Sequence, residues 1–238
     1  LTCGDKNVAI GYEAGSAVTT NDMRVLIGYQ AGAALTTGDN SVFIGANAGD
    51  GHDTEGHNVG IGRDALGGAV AGGEFNTAVG SFALDAVTSG DYNTGLGYGA
   101  GSDLTTGSQS TFIGSRSGWG VNTGTGNVII GDTSAEALRD GNNNCIIGVS
   151  VNCASDSTNR IALGQGFTVG GDYDFSFGSA SNVVTNDFNA DADWSRSSDI
   201  RLKRNVEDST LGLDFINDLR PVKFQWKPSN EVPKEMTA

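Results

Sequence analysis

Asn7-Val8-Ala9-Ile10-Gly11 decides how this chain is read, because the chain keeps repeating it. Phrases of the same kind end at Gly28, Gly45, Gly62, Gly80, Gly97, Gly114, Gly131, Gly148 and Gly164, and a weaker copy ends at Gly178. Successive glycines from Gly11 to Gly62 are 17 residues apart, one step is 18, and the period returns to 17 until a last step of 16. Self-similarity this regular is the mark of a repeat architecture and excludes an ordinary globular enzyme over most of the length.

Aligning the repeats on the phrase-ending glycine exposes columns. Three positions before it stand Val8, Val25, Val42, Val59, Thr77, Thr94, Thr111, Val128, Cys145 and Ile161, nearly all β-branched. One position before it stand isoleucine, valine or leucine throughout, from Ile10 to Leu163. Two positions apart, these columns share one face of a short strand and are expected to form the core. The residue between them ranges from Gly60 and Gly95 to Phe43 and Phe112 and is assigned to the looser, opposite face. Four before the glycine, asparagine recurs at Asn7, Asn58, Asn76, Asn93, Asn127 and Asn144, which in stacked coils would form an amide ladder. Three after it, Ala14, Ala31, Ala48, Ala65, Ala83, Ala100, Ser117 and Ser134 ask for a tight interior corner or the close approach of a neighbouring chain.

Glycine and β-branched residues at this density rule out helices. The expectation is an all-β parallel β-solenoid or β-roll of about ten 17-residue coils over residues 1–180, each coil holding two short strands and two turns. At about 4.8 Å per coil, ten coils rise roughly 48 Å. Two large apolar residues per coil make a thin core, so lateral association that buries a second face is expected.

The chain has 238 residues and a formal net charge of −14. That excess lies before residue 198, where 7 basic residues face 21 acidic ones; from Ser198 onward there are 7 of each. An acidic fibre disfavours nucleic acid and anionic membrane as partners. No apolar run approaches the roughly 18 residues of a membrane span, and no membrane insertion is expected. Cys145 and Cys153 allow a bridge, although two small half-buried thiols explain them as well. His52 and His57, beside Asp53 and Glu55, read as loop residues on the surface rather than as a metal site. Gly97, Gly99 and Gly101 imitate a nucleotide-binding fingerprint but lie inside the repeat with no strand–helix unit. Neither a metal nor another cofactor is expected. Tyr12, Tyr29 and Tyr98 share one column suited to a seam between chains, and Trp119 is left open between that role and stacking on a sugar.

Asn76-Thr77-Ala78-Val79-Gly80 and Asn93-Thr94-Gly95-Leu96-Gly97-Tyr98-Gly99-Ala100 resemble the heads of trimeric autotransporter adhesins, and more closely the repeats of phage tail fibres. The resemblance implies a parallel-stranded homotrimer. Past Gly178 the pattern dissolves. Residues 181–197 read as a neck or linker in which Asp187, Asp191 and Asp193 lack the glycine and terminal glutamate of a calcium loop.

Composition then changes. Leu211, Phe215 and Leu219 make one stripe of a helix that Ser209 or Thr210 caps and Pro221 ends. Val222, Phe224 and Trp226 alternate as a strand, so residues 198–238 read as a short α+β segment. Ser198-Asp199-x-Arg201-Leu202-Lys203-x-Asn205-Val206, with Leu219-x-Pro221-Val222-x-Phe224-x-Trp226-Lys227, resembles the start of the intramolecular chaperone domain of endosialidases and phage tail fibres. The resemblance implies a domain that drives trimerisation and then cuts itself off, with Ser198 and Lys203 as a Ser-Lys dyad. Arg201 and Arg204 would lower the pKa of Lys203 so that it serves as base. Ser197 is an alternative nucleophile one residue earlier. The chain opens at Leu1 inside a repeat phrase and stops early in the chaperone-like region, so further residues are expected at both ends.

The reading that follows is a structural and host-attachment trimeric fibre of a virion. Its partners would be copies of itself, other tail or baseplate proteins, and a host surface glycan or protein receptor. Enzymatic activity would be limited to self-cleavage. A trimeric cell-surface adhesin of a bacterium or archaeon is the alternative.

Overall fold

The computed structural model describes residues 6–20, 23–68 and 72–190. Twelve strands form one sheet in sequence order: β1 (Val8–Ile10), β2 (Val25–Ile27), β3 (Val42–Ile44), β4 (Val59–Ile61), β5 (Thr77–Val79), β6 (Thr94–Leu96), β7 (Thr111–Ile113), β8 (Val128–Ile130), β9 (Cys145–Val149), β10 (Ile161–Gln165), β11 (Asp174–Ser179) and β12 (Asn182–Asp187). Strands β1 to β11 pair in parallel and in register, Val8 on Val25 on Val42 and so on up the stack. This is the expected β-solenoid, all-β, with one coil per repeat and no helix among the described residues.

Each coil carries one strand of this sheet, not two. The other side is turn, tied to the next coil by backbone bonds such as Gly15 N–H to Ala31 O (3.0 Å) and Gly32 N–H to Ala48 O (2.9 Å). The reason is local geometry. Residues two and four past the phrase glycine, such as Gln30 (φ 53°) and Gly32 (φ 58°), sit in the left-handed region, where no strand can run. The phrase glycine is itself compelled. Gly97 has φ 134°, and a Cβ there would stand 2.5 Å from the carbonyl oxygen of Gly114 in the next coil.

The faces of the strand are the reverse of the expected ones. The central residue of each strand points inward: Leu26, Phe43, Ala78, Phe112, Ile129, Ile146 and Ala162 are all fully buried or nearly so. The valine and isoleucine columns point outward and are half-buried or exposed. The asparagine ladder explains the parity. Residues four and two before the glycine share a face, and the asparagines must lie inside to be satisfied. Asn93 Nδ2 donates to Gly107 O (2.9 Å) and to Asn76 Oδ1 (3.1 Å), while its own Oδ1 accepts from Ser110 N–H (3.0 Å). Asn58, Asn76, Asn127 and Asn144 are buried in equivalent positions.

Core packing is pairwise across coils. Where the inward residue is large, the residues four past the glycine are small: the Phe112 ring lies against Gly101 and Gly118, and Phe43 against Gly32 and Gly49. Where it is small, leucine takes the space at Leu66 after Gly60 and Leu84 after Ala78, whereas at Gly95, followed by Gly101, Leu84 and Phe112 close in from the flanking coils. A third column of Val18, Leu35, Val87, Leu104, Val121 and Leu138 completes the interior. The alanine and serine column is an interior corner, buried from Ala31 to Ser134, with Ser117 Oγ donating to Ile129 O (2.7 Å).

At the C-terminal end of the stack β12 folds back antiparallel on β11. The segment expected as a neck therefore opens with a strand. The α+β segment expected at residues 198–238 lies outside the described residues.

Candidate functional site

Ser198 and Lys203, the dyad residues, lie outside the described residues, as do Ser197, Arg201 and Arg204. Other features of the repeat are open to description.

The first is the outward face of the sheet. Side chains one before each glycine form an apolar row along the stack, and those three before it form a second row in which Thr77, Thr94 and Thr111 stand among valines. Ile10, Ile61, Leu96, Val128, Ile147, Ile161 and Leu163 are each more than a third exposed, Ile10 at 59 %. Soluble monomers rarely expose apolar surface in contiguous stripes. Sequence reasoning found these residues and placed them on the wrong side of the strand.

The second is His52. It occupies the third core column, where the preceding coil carries Leu35, and is fully buried rather than on the surface. Its ring sits 5.0 Å from that of Phe43. Burial pulls its pKa down to about 4, with only a partly opposing pull from Glu55. The neutral imidazole is the form this core accepts. Glu55 does not approach it as a metal partner would; its carboxylate accepts from the backbone of Asp53, Thr54 and Gly72. His57 points elsewhere and stacks on Phe75 at 4.8 Å, which stacks in turn on Tyr92 at 4.9 Å. Among the described residues no group of His, Cys, Asp and Glu is placed to hold a metal. Cys145 and Cys153 are free thiols.

The third is a cleft of about 350 Å³ on the turn side of three successive coils, lined by Phe82, Asp85, Tyr98, Ser102, Asp103 and Trp119. Phe82 and Tyr98 meet edge to face, with centroids 5.9 Å apart. Two cations brace the aromatic walls: the Arg63 guanidinium lies 4.3 Å from the Phe82 centroid and that of Arg116 lies 5.1 Å from Trp119. Burial pushes the Asp85 carboxyl up to about 6, and the nearby charges of Asp103 and Asp64 add to the effect. Asp103 is held by Arg139 at 3.3 Å. Sequence reasoning singled out Tyr98 and Trp119 but missed the other four. The available signal was Gly99, which empties a column otherwise mostly filled by residues with side chains, such as Asp64, Phe82 and Arg116.

No helix among the described residues is long and apolar enough to cross a membrane. Residues 198–237 match the family described as chaperone of endosialidase. No curated protein and no solved structure matches the chain. A stacked β-solenoid followed in sequence by a match to a chaperone segment fits a fibre-type protein. More particularly, the combination fits a phage tail-fibre or spike type of protein with a C-terminal chaperone domain.

Proposed function

We propose that the chain is part of a homotrimeric virion fibre that carries host attachment, and that its C-terminal segment is a trimerisation chaperone that cuts itself off at or beside Ser198. The observation that carries this reading is the outward apolar face. Its rows of valine, threonine and isoleucine run unbroken from β1 to β10, each coil repeating the same pattern in register. A second and third copy would cover it, with every coil meeting its own equivalent. In-register stacking of identical coils is a slippage hazard, because a shift by one repeat preserves most contacts. A dedicated chaperone segment is the natural remedy, and the match at residues 198–237 supports one.

In the cleavage step, Ser198 Oγ adds to the carbonyl carbon of the bond that breaks. The proton passes to the neutral amine of Lys203 and on to the leaving amine, and water then releases the ester. Lys203 needs a lowered pKa for this, and Arg201 and Arg204 are positioned in sequence to supply it.

Light scattering on the intact chain tests the assembly: a trimer is expected, and a clean monomer at micromolar concentration overturns it. Leu96→Lys with Ile113→Lys should dissociate the trimer. Fragmentation near residue 198 should vanish in Ser198→Ala; a fragment that persists in that variant removes the dyad assignment.

A further inference from the structure

Residues two past each phrase glycine hold left-handed backbone and carry side chains: Glu13, Gln30, Asn47, Asp64, Phe82, Arg116, Thr133 and Ser150, with φ between 50° and 60°. The exceptions are Gly99 and, at the last phrase, Gly166, and only at Gly99 does a neighbouring side chain lie where a Cβ would be. A Cβ at Gly99 would stand 2.8 Å from Cζ3 of Trp119, so the indole of the following coil lies over bare backbone. The missing side chain leaves room for the indole, and the indole forms part of the wall of the cleft. Two polar atoms within that lining are unspent. Ser102 is 6 % exposed, and its Oγ, although buried, has no hydrogen-bond partner. Asp85 Oδ1 is buried and unpartnered in the same way.

We propose that this cleft is a saccharide subsite that takes one neutral hexopyranose ring of a host-surface glycan, stacked against Trp119 with its hydroxyls bonded to Asp85 and Ser102. This rests on the attachment role proposed above and gives that role a place and a ligand class. The cleft matches the general make-up of small-ligand sites, which combine apolar and aromatic walls with a few aimed polar groups. A pyranose presents an apolar C–H face and a rim of hydroxyls. The indole, Tyr98 and Phe82 suit the face, and the rim suits a carboxylate that only accepts and a serine that does both. An all-apolar ligand would leave Asp85 and Ser102 buried without partners, which is costly. A sialic or uronic acid would bring its carboxylate against Asp85 and Asp103 on a chain of net charge −14. The two arginines at the walls are already committed to the Phe82 and Trp119 rings.

The test uses the intact chain and saturation-transfer NMR with methyl glycosides of galactose, glucose and mannose, and with sialyllactose as the anionic probe. At least one neutral glycoside should bind saturably, and more tightly than sialyllactose by tenfold or more. Trp119→Ala should weaken that binding at least tenfold, and Ser102→Ala, which removes only one buried hydroxyl, several-fold. Circular dichroism and light scattering confirm that each variant keeps its fold and assembly. If no neutral glycoside binds, if sialyllactose binds as well, or if Ser102→Ala and Trp119→Phe both bind as the parent does, the subsite is wrong. The attachment role is tested separately by asking whether the intact chain blocks adsorption of the parent virion. Blocking without binding of neutral sugars removes the subsite alone. Binding of sugars at Trp119 without blocking supports the subsite and removes the attachment role.

Discussion

Replacing Phe112 and Gly118 singly and together measures whether the core is built from paired columns. Phe112 is fully buried, and its ring presses on Gly118 in its own coil and on Gly101 in the preceding one. Phe112→Ala removes the ring and leaves a cavity in a rigid stack, for a loss of about 3–5 kcal/mol. Gly118→Ala incurs two separate costs. Gly118 has φ 62°, and alanine in that conformation costs about 1 kcal/mol. Its new methyl also overlaps Cδ1 and Cε1 of Phe112, and overpacking of that kind costs about 1–3 kcal/mol. In the Phe112→Ala background the overlap disappears and the methyl occupies part of the cavity. The double variant should therefore be more stable than the sum of the singles by about 1–3 kcal/mol. Urea unfolding followed by far-ultraviolet circular dichroism, at one fixed protein concentration so that any association is held constant, yields the four free energies. If Gly118→Ala costs the same with and without the Phe112 ring, the two positions are independent and the paired-column account is wrong.

Two further outcomes follow from buried polar groups. His52 has a folded pKa of about 4 against an unfolded value of 6.5, so the folded state binds fewer protons. Stability is full above pH 6.5, falls as the pH drops toward 4 by about 3 kcal/mol in total, and levels below that. Urea midpoints at pH 7 and pH 4 should show this, and His52→Leu should shrink the difference; an unchanged difference would mean that other groups set the acid sensitivity. Asn93→Ala leaves the Ser110 N–H without its side-chain acceptor and Gly107 O without its amide, for a loss of about 2–4 kcal/mol by urea unfolding. Asn93→Asp keeps the acceptor but sets an oxygen against Gly107 O and Asn76 Oδ1, which raises its carboxyl. That variant should be weakest at neutral pH and recover as the pH falls. Equal loss at both pH values would show that the amide donor contributes little.

How far the sequence reaches depends on which physical rule each column expresses. The period, the strand position and the parallel register follow from the phrase alone, since Val-x-Ile-Gly every 17 residues has few other uses. The facing of the strand did not follow, because a β-branched apolar column reads as core whether a core or a partner chain covers it. The Asn58, Asn76 and Asn93 column held the answer. An amide needs fixed partners, a stacked interior supplies them, and the period of two then turns Phe43 and Phe112 inward. The apparent freedom of the central column was likewise an artefact of viewing it alone. Phe43 with Gly49, Gly60 with Leu66 and Ala78 with Leu84 trade volume between columns six residues apart, and at Gly95 with Gly101 the side chains of Leu84 and Phe112 fill in from the flanking coils, so the constraint is shared among neighbouring positions. The second strand of each coil was over-read because nothing in a run such as Gly-Tyr-Gln-Ala-Gly announces that glutamine will adopt a left-handed φ.

The reversal of faces also changes what the repeat is for. With Val8 and Ile10 inside, the stack would hide these rows, and association would serve only to supplement a thin core. With the asparagine ladder inside, each coil satisfies its own backbone and fills its own interior, and the apolar rows are surplus to the folding of one chain. Surplus apolar surface in register over ten strands is stabilised only by something equally long and equally periodic. The proposed trimer supplies such an object, since a copy of the same chain would meet every coil at once. In the proposed trimer, errors of register would be the main hazard of assembly, and that hazard is the physical case for a chaperone segment at residues 198–237.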